Sequence, residues 1–320
     1  MAESITLSGQ LAIRWIEARV NEYLNKLLKT EGEDYVIASD TDSLYIMFDK
    51  LVDKVLPKGD GLSENDYKRK VVDFLDNVAR QKIEPFIDES YQNLADLMNA
   101  YAQKMFMKRE AIADKGIWTA KKRYALNVYD NEGVRYSEPK LKVMGLEIVK
   151  SSTPASCRDA LKKVVKLIMK SDENTIQKYI ADFRNEFKNL PFEDIAFPRG
   201  VTDLTKYQTN GEELEIMKST PIHVRGSLLY NHLLKQHKLE KRYESIKDGE
   251  KVKFCYLKTP NPIRQNVLSI LSSLPKEFEL NSYIDYDTQF NKAFLEPINS
   301  ILNVIGWESE KTSTLESFFK

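Results

Sequence analysis

The chain has 320 residues, 42% of them hydrophobic and 30% charged, enough to bury one large core or two smaller ones. Its 48 basic side chains balance 48 acidic ones, which excludes a histone-like, purely electrostatic nucleic-acid binder but not a local basic groove. Cys157 and Cys255 are too few for a disulfide framework and fit no zinc spacing. No apolar run approaches the roughly 20 residues that span a bilayer, and no signal-peptide order opens the chain, so a soluble intracellular protein is expected.

From Gly9 to Leu28, Ala12, Ile13, Ile16, Val20, Tyr23, Leu24 and Leu27 recur at helical spacing, with Arg14, Glu17, Arg19 and Lys26 on the wet side. Two β-prone runs follow, Tyr35–Ser39 and Ser43–Phe48, around the polar tip Asp40-Thr41-Asp42; this predicts a hairpin. Pro57–Asn65 reads as a loop, Asp66–Ile83 as an amphipathic helix, and a new helix is expected from Pro85 to about Ala102. Met105–Val149 is strand-like, with a turn at Asp130–Gly133. Ser151-Ser152-Thr153-Pro154 predicts a helix start capped by a hydroxyl, and helical patterning runs from Ala155 to Leu190. Pro191–Pro221 is irregular, strand signals return at Lys251–Leu257, and Ile284–Val304 is again helical. The natural break lies near Gly145–Thr153, and neither repeats nor low-complexity tracts occur.

Asp40 and Asp42 at a hairpin tip form the first chemical candidate. Two carboxylates about 4 Å apart repel by about 4 kcal/mol at an effective dielectric of 20. Either a cation neutralises the pair or the turn simply lies in water, where aspartate is a favoured residue. Magnesium suits the first case, because it binds through one or two carboxylates while phosphates and water complete its octahedron. A second candidate is Tyr101–Ala125, where seven basic residues (Lys104, Lys108, Arg109, Lys115, Lys121, Lys122, Arg123) face two acids, with Trp118 and Tyr124 interleaved. A nucleic-acid groove and a solvated charged face both fit that composition.

Ala38-Ser39-Asp40-Thr41-Asp42-Ser43-Leu44-Tyr45 resembles the metal-binding hairpin in the palm of family B DNA polymerases, specifically of the T-even-type phage kind. Trp15-Ile16-Glu17, Val20–Asn25, Lys121-Lys122-Arg123-Tyr124, Met144-Gly145-Leu146-Glu147 and Lys150–Pro154 resemble that family's segments in the same order. The resemblance implies an α+β fold: part of an antiparallel palm sheet with helices over 1–148, a mostly helical thumb over 149–306, and a clamp-binding tail over 307–320. It implies that Asp42 is the main magnesium ligand and Asp40 its tuner, with two Mg2+ ions in the assembled site. Thr41 would hold the turn, and Lys121, Lys122, Arg123 and Tyr124 would grip the primer end of the DNA. Phe106–Glu110 is similar to the segment that places another palm carboxylate, here Glu110, although Lys108 stands where the phage enzymes carry an acid. Asp130 matches a position of functional weight in the phage enzymes, with a plain turn aspartate as the simpler reading. Ile222–Gly226 with Tyr230-Asn231 resembles a thumb segment; His223 is read there as a packed or hydrogen-bonded histidine rather than a catalyst.

Leu315, Phe318 and Phe319 end the chain as an apolar plug, similar to the tails with which replicative polymerases enter a sliding clamp. The second aspartate motif, the fingers and the exonuclease do not occur in this sequence. The expectation is therefore one subunit of a split DNA-directed DNA polymerase in the cytoplasm of an infected bacterium. Its partners would be the N-terminal polymerase chain, primer–template DNA, dNTP and a sliding clamp. The alternative is a non-catalytic DNA- and clamp-binding module.

Overall fold

A computed structural model describes residues 2–59, 61–207 and 216–311. Among the described residues the fold is α+β, with three small antiparallel sheets among helices. It forms two compact units: the chain up to Gly116 with Leu126–Lys142, and Ile117–Ala125 with the chain from Val143 onward. No helix among the described residues is long and apolar enough to cross a membrane.

In the first unit the opening helix α1 runs Ala2–Leu28. It buries Ala12, Ile16, Val20 and Leu24, the i, i+4 stripe that the apolar spacing predicts, whereas Leu27 is 46% exposed. The β1 strand (Val36–Asp40) pairs antiparallel with β2 (Ser43–Ile46). They are followed by α2 (Asp49–Val55) and α3 (Glu64–Val78), whose N-terminus is capped by the Ser63 hydroxyl accepting from the Asp66 amide.

The expected break before Pro85 does not occur. The chain passes from α3 through a π turn, Ala79–Ile83, directly into α4 (Glu84–Leu97). Proline inside a helix lacks an N–H and clashes with the carbonyl four residues back; widening the preceding turn relieves that clash. Accordingly, the Glu84 amide bonds Ala79 O, five residues behind it. The same device recurs where a π turn at Asn291–Leu295 precedes Glu296-Pro297.

Helices α1 and α4 are antiparallel: Trp15 Nε1 donates to Ser90 O at 2.9 Å, and the Tyr23 and Phe86 rings stack at 4.2 Å. Strands β3 (Ala111–Ala120), β4 (Arg123–Asn131) and β5 (Val134–Met144) form the second sheet in sequence order. The β4–β5 turn is Glu132-Gly133, with φ of 51° and 89°, the two positive values of a tight hairpin.

In the second unit α5 (Ala155–Ile168) and α6 (Glu173–Phe187) lead into the short α7 (Phe192–Ile195). The N-cap of α5 is Pro154, with no side-chain cap bond, so the hydroxyl cap expected from Ser151–Thr153 is not formed. Thr153 is instead buried, and its amide turns back to Lys150 O. Strands β6 (Phe197–Gly200), β7 (Lys251–Tyr256) and β8 (Val267–Ile270) make the third sheet; α8 (Leu204–Tyr207) and α9 (Ile222–Gln236) lie between the first two in sequence. Gly226 lets α9 press onto β8, since a Cβ there would lie 2.8 Å from the Ser269 amide nitrogen. On α6, α10 (Tyr286–Phe290) and the π turn that leads to α11 (Glu296–Leu302), Phe183, Phe187, Phe290 and Phe294 interlock at centroid distances of 4.8 to 5.9 Å.

One side chain fixes where β1 begins. Asn21 Oδ1 accepts from the amides of Tyr35 (2.8 Å) and Val36 (2.9 Å), while its Nδ2 donates to Asp34 (2.8 Å). Asn25, one turn on, donates to Glu33 O (2.7 Å) and accepts from the Glu33 amide (3.1 Å). Tyr35 and Val36 are buried, so truncating Asn21 leaves two amides dry. Asn21→Ala is expected to cost roughly 2–6 kcal/mol in urea unfolding, since each of the two orphaned buried donors costs about 1–3 kcal/mol; a loss below about 0.5 kcal/mol would show that water reaches these amides.

Candidate functional site

The hairpin tip is built from the inside outward. β1 leaves the Asn21 anchor, and an extra residue, Ile37, bulges between the Val36 and Ala38 pairings. Beyond it the register is regular: Ala38 faces Tyr45, Ser39 faces Leu44, and Asp40 faces Ser43. Bulges re-aim the residues beyond them and increase the local twist. Ser39 Oγ donates to Glu17 Oε2 on α1 at 3.1 Å, so the strand is also held near its tip.

Two residues close the turn. Thr41 has φ of 50°, in the left-handed region that a β-branched side chain avoids. The Asp42 amide bonds Asp40 O at 2.5 Å, spanning only Thr41. The Thr41 hydroxyl donates to Asp40 Oδ1 (3.1 Å), and Ser43 Oγ donates to Asp40 O (3.1 Å). A conformation of this kind costs on the order of 1–3 kcal/mol and persists only where its surroundings impose it. The result is one half-buried carboxylate, Asp40, and one exposed carboxylate, Asp42, on either side of a constrained residue.

Both are hard oxygen donors, and one or two carboxylates are what magnesium takes from a protein when phosphate and water supply the rest. The hairpin fits that partial donor set. It does not form a closed cage: among the described residues no group of three or more His, Cys, Asp or Glu side chains is placed to hold a metal ion.

Glu110 and Asp130 belong to the same unit but have other close partners. Glu110 is exposed and paired with Lys142, while its carbonyl accepts from the Glu132 amide at 2.6 Å. Asp130 is fully buried. Its carboxylate meets Arg109, Arg135 (3.2 Å) and the Gly133 amide (3.0 Å), and Arg109 reaches on to Asp76 at 2.7 Å. Burial alone pushes the Asp76 carboxyl up, but Arg109, Arg80 and Arg135 outweigh it and hold the group below the usual carboxylate range. Arg109 is thereby committed to a buried network and withdrawn from the basic stretch. Lys108 stays exposed.

The basic turn lies in the second unit. Lys121 and Lys122 are the exposed two-residue link between β3 and β4, and Lys122 has φ of 62°. Arg123 pairs with Glu147 at 2.7 Å, and Lys150 joins the same carboxylate at 2.8 Å. Burial raises the Glu147 pKa, but these two cations and the local backbone bring it below the ordinary glutamate value. Tyr124 is buried, its ring 6.0 Å from that of Trp118. Two segments distant in sequence therefore meet here, Lys121–Tyr124 and Met144–Glu147. Gly145 permits the meeting: at φ of 66°, a Cβ on it would stand 2.1 Å from the Lys122 carbonyl oxygen.

Residues the spacing does not single out are Asn21, Asn25 and Glu17, which hold the hairpin, and Arg135 with Asp76, which hold Asp130. In the periodicity Glu17, Asn21, Asn25 and Asp76 stand as polar residues beside an apolar helical stripe, a pattern that surface residues share, and Arg135 lies on the strand β5. His223 packs against Phe254 at 6.4 Å; burial and the nearby Arg199 lower its pKa. Leu315, Phe318 and Phe319 lie outside the described residues.

Residues 27–186 match the family described as Divergent Family B DNA polymerase. The chain is similar to the DNA-directed DNA polymerase of Enterobacteria phage T4, 36% identical over 99% of this chain and 35% of that protein. It is likewise similar to the DNA-directed DNA polymerase of Escherichia phage RB69, 38% identical over 99% of this chain and 35% of that protein. The chain thus spans about a third of the length of these relatives.

Gly145→Ala is expected to destabilise the protein by about 1–3 kcal/mol, the range for an atom forced into filled space. It should also displace the Lys121–Lys122 turn, read as shifts of those two amide resonances. Unchanged resonances and stability would mean that the turn accommodates a methyl group.

Proposed function

The chain belongs to the divergent family B DNA polymerases, and on that footing we propose that it is the C-terminal, palm-and-thumb part of a DNA-directed DNA polymerase of phage replication. The observation that carries the reading is the Asp40-Thr41-Asp42 turn: a β-branched residue in the left-handed region between two carboxylates, tied back to α1. Such strain concentrates at functional sites. In this reading Asp42 is the main carboxylate toward magnesium, and Asp40, with an oxygen engaged by the Thr41 hydroxyl, tunes the donor set. Asp42 and Asp40 would hold magnesium, two ions in the assembled site, which would supply neutralisation of phosphate charge. Glu110 is the further carboxylate of this palm, and Asp130 supports it through Arg109.

Lys121 and Lys122, exposed on a turn wedged by Gly145, grip the backbone of the primer–template. Arg123 and Tyr124 hold that turn, Arg123 by pairing with Glu147 and Tyr124 by packing beside Trp118. The helical part from about residue 149 holds the product duplex as a thumb. The part of the polymerase outside the given sequence supplies fingers, exonuclease, the rest of the palm and the dNTP site. Leu315, Phe318 and Phe319 enter a sliding clamp. The setting is the cytoplasm of an infected bacterium.

The test mixes this chain with the complementing polymerase polypeptide and measures magnesium-dependent primer extension. Asp42→Ala is expected to abolish extension without loss of assembly, and retained synthesis would remove Asp42 from the role. Lys122→Ala should weaken primer–template binding and reduce its salt slope by about 1. DNA binding without extension in every mixture would favour the non-catalytic module. A chain lacking Leu315–Lys320 is expected to lose clamp-dependent processivity but keep unassisted extension; equal processivity with and without the tail would reject the clamp contact.

A further inference from the structure

We infer that the start of helix α9, from Thr220 to Arg225, is a seat for a phosphate group. Local geometry carries the seat itself; only the source of the phosphate, the backbone of a DNA duplex, rests on the polymerase reading above. A helix opens with backbone amides that have no acceptor inside the helix. Pro221 caps α9 and has no N–H, and the first intrahelical bond runs from the Arg225 amide to Pro221 O at 2.9 Å. The amides of Ile222, His223 and Val224 are therefore left over. No side chain caps them and no acid stands in the first turn, although α9 runs for 15 residues and has its positive end here. Pro221 is exposed, so the start is open to solvent.

Two side chains at the same start lack a partner that burial calls for. Thr220, the residue before the cap, is 8% exposed, and its hydroxyl is buried with no hydrogen-bond partner. Its amide turns back to Met217 O at 3.0 Å, which fixes the residue in place. Arg225, in the first turn of α9, is half-buried; its Nη2 donates to Asn266 Oδ1 at 2.8 Å, while its Nε is buried without a partner. Native structures seldom leave buried polar atoms unpaired unless strain, water or a ligand accounts for them.

Positive charge near this start is also uncompensated. Among the described residues no carboxylate pairs with Arg225, nor with Arg199, whose charge acts on His223, the second residue of α9. Arg199 donates to the carbonyls of Ser152 (2.7 Å) and Pro198 (2.8 Å) and lies over the Phe197 and Phe254 rings, so its charge is partly withdrawn from water without a counter-ion. One phosphate would meet these needs together: its oxygens accept from the free amides, the Thr220 hydroxyl and the Arg225 guanidinium, and its charge suits the helix dipole. Amides and an arginine hold a phosphate without reading bases, which fits a surface that grips a duplex of any sequence.

The test titrates the full chain with sodium phosphate, against sodium chloride of equal ionic strength, and follows backbone amide resonances. Those of Ile222, His223 and Val224 are expected to shift with phosphate and not with chloride. Arg225→Gln should weaken phosphate binding by about tenfold or more, the loss of a charged donor. Thr220→Val removes the orphaned hydroxyl while keeping the shape of the side chain. It should weaken phosphate binding several-fold and leave thermal stability equal or higher, a combination that a purely structural hydroxyl would not give. In a second arm a blunt DNA duplex should displace phosphate from these amides, and Arg225→Gln should lower the salt slope of duplex binding by about 1. Phosphate binding that a duplex does not displace upholds the seat and assigns it to a free phosphate ligand. Shifts that follow ionic strength alone, or a phosphate affinity unchanged in both variants, overturn it. Neither readout involves primer extension, so failure of the seat and failure of the polymerase reading are told apart.

Discussion

The carboxamide of Asn21 receives two consecutive backbone amides, those of Tyr35 and Val36, at 2.8 and 2.9 Å. A strand leaving a helix across a polar loop has many directions open to it, and these two bonds leave one. Everything farther along the hairpin inherits that origin: the bulge at Ile37, the register that sets Asp40 opposite Ser43, and the turn closed over Thr41. Ser39 bonded to Glu17 adds a second fixed point close to the tip. Strain at Thr41 persists because β1 is anchored at two points and paired with β2, so relaxing the turn would mean breaking that ladder.

The second unit uses steric exclusion for the same end. Gly145 and the Lys122 carbonyl share space in which no methyl group fits, and Arg123 with Glu147 closes the contact electrostatically. Gly226 does likewise for α9 on β8. In each case the precision comes from backbones brought closer than side chains allow, a relation that depends on what the missing Cβ would have met.

The buried Arg109–Asp130–Asp76 network imposes a different constraint. Charges taken out of water are tolerable only when paired on several sides, and here two carboxylates share Arg109 and Arg135, with Arg80 added at Asp76. That network ties the start of the second sheet to the end of α3. It also explains why a composition count overstates the basic groove: one of its arginines is spent internally.

Local pattern by itself determined the amphipathic stripe of α1, the two-stranded hairpin with Asp40 and Asp42 at its tip, the strand at Tyr124–Tyr129 and the helices after Pro154. Periodicity reports which face is buried, and burial is what shapes those elements. The polymerase family was equally legible, because its short motifs stand in order along the chain. Tertiary structure alone decided that Pro85 does not break its helix, that Pro154 replaces a hydroxyl as the cap of α5, and that Asp130 is enclosed by arginines. It alone brought Gly145 against Lys122 and left the first turns of α1 without a core. Each of these depends on a group far away in sequence or on a backbone adjustment, and no window of neighbouring residues contains that information.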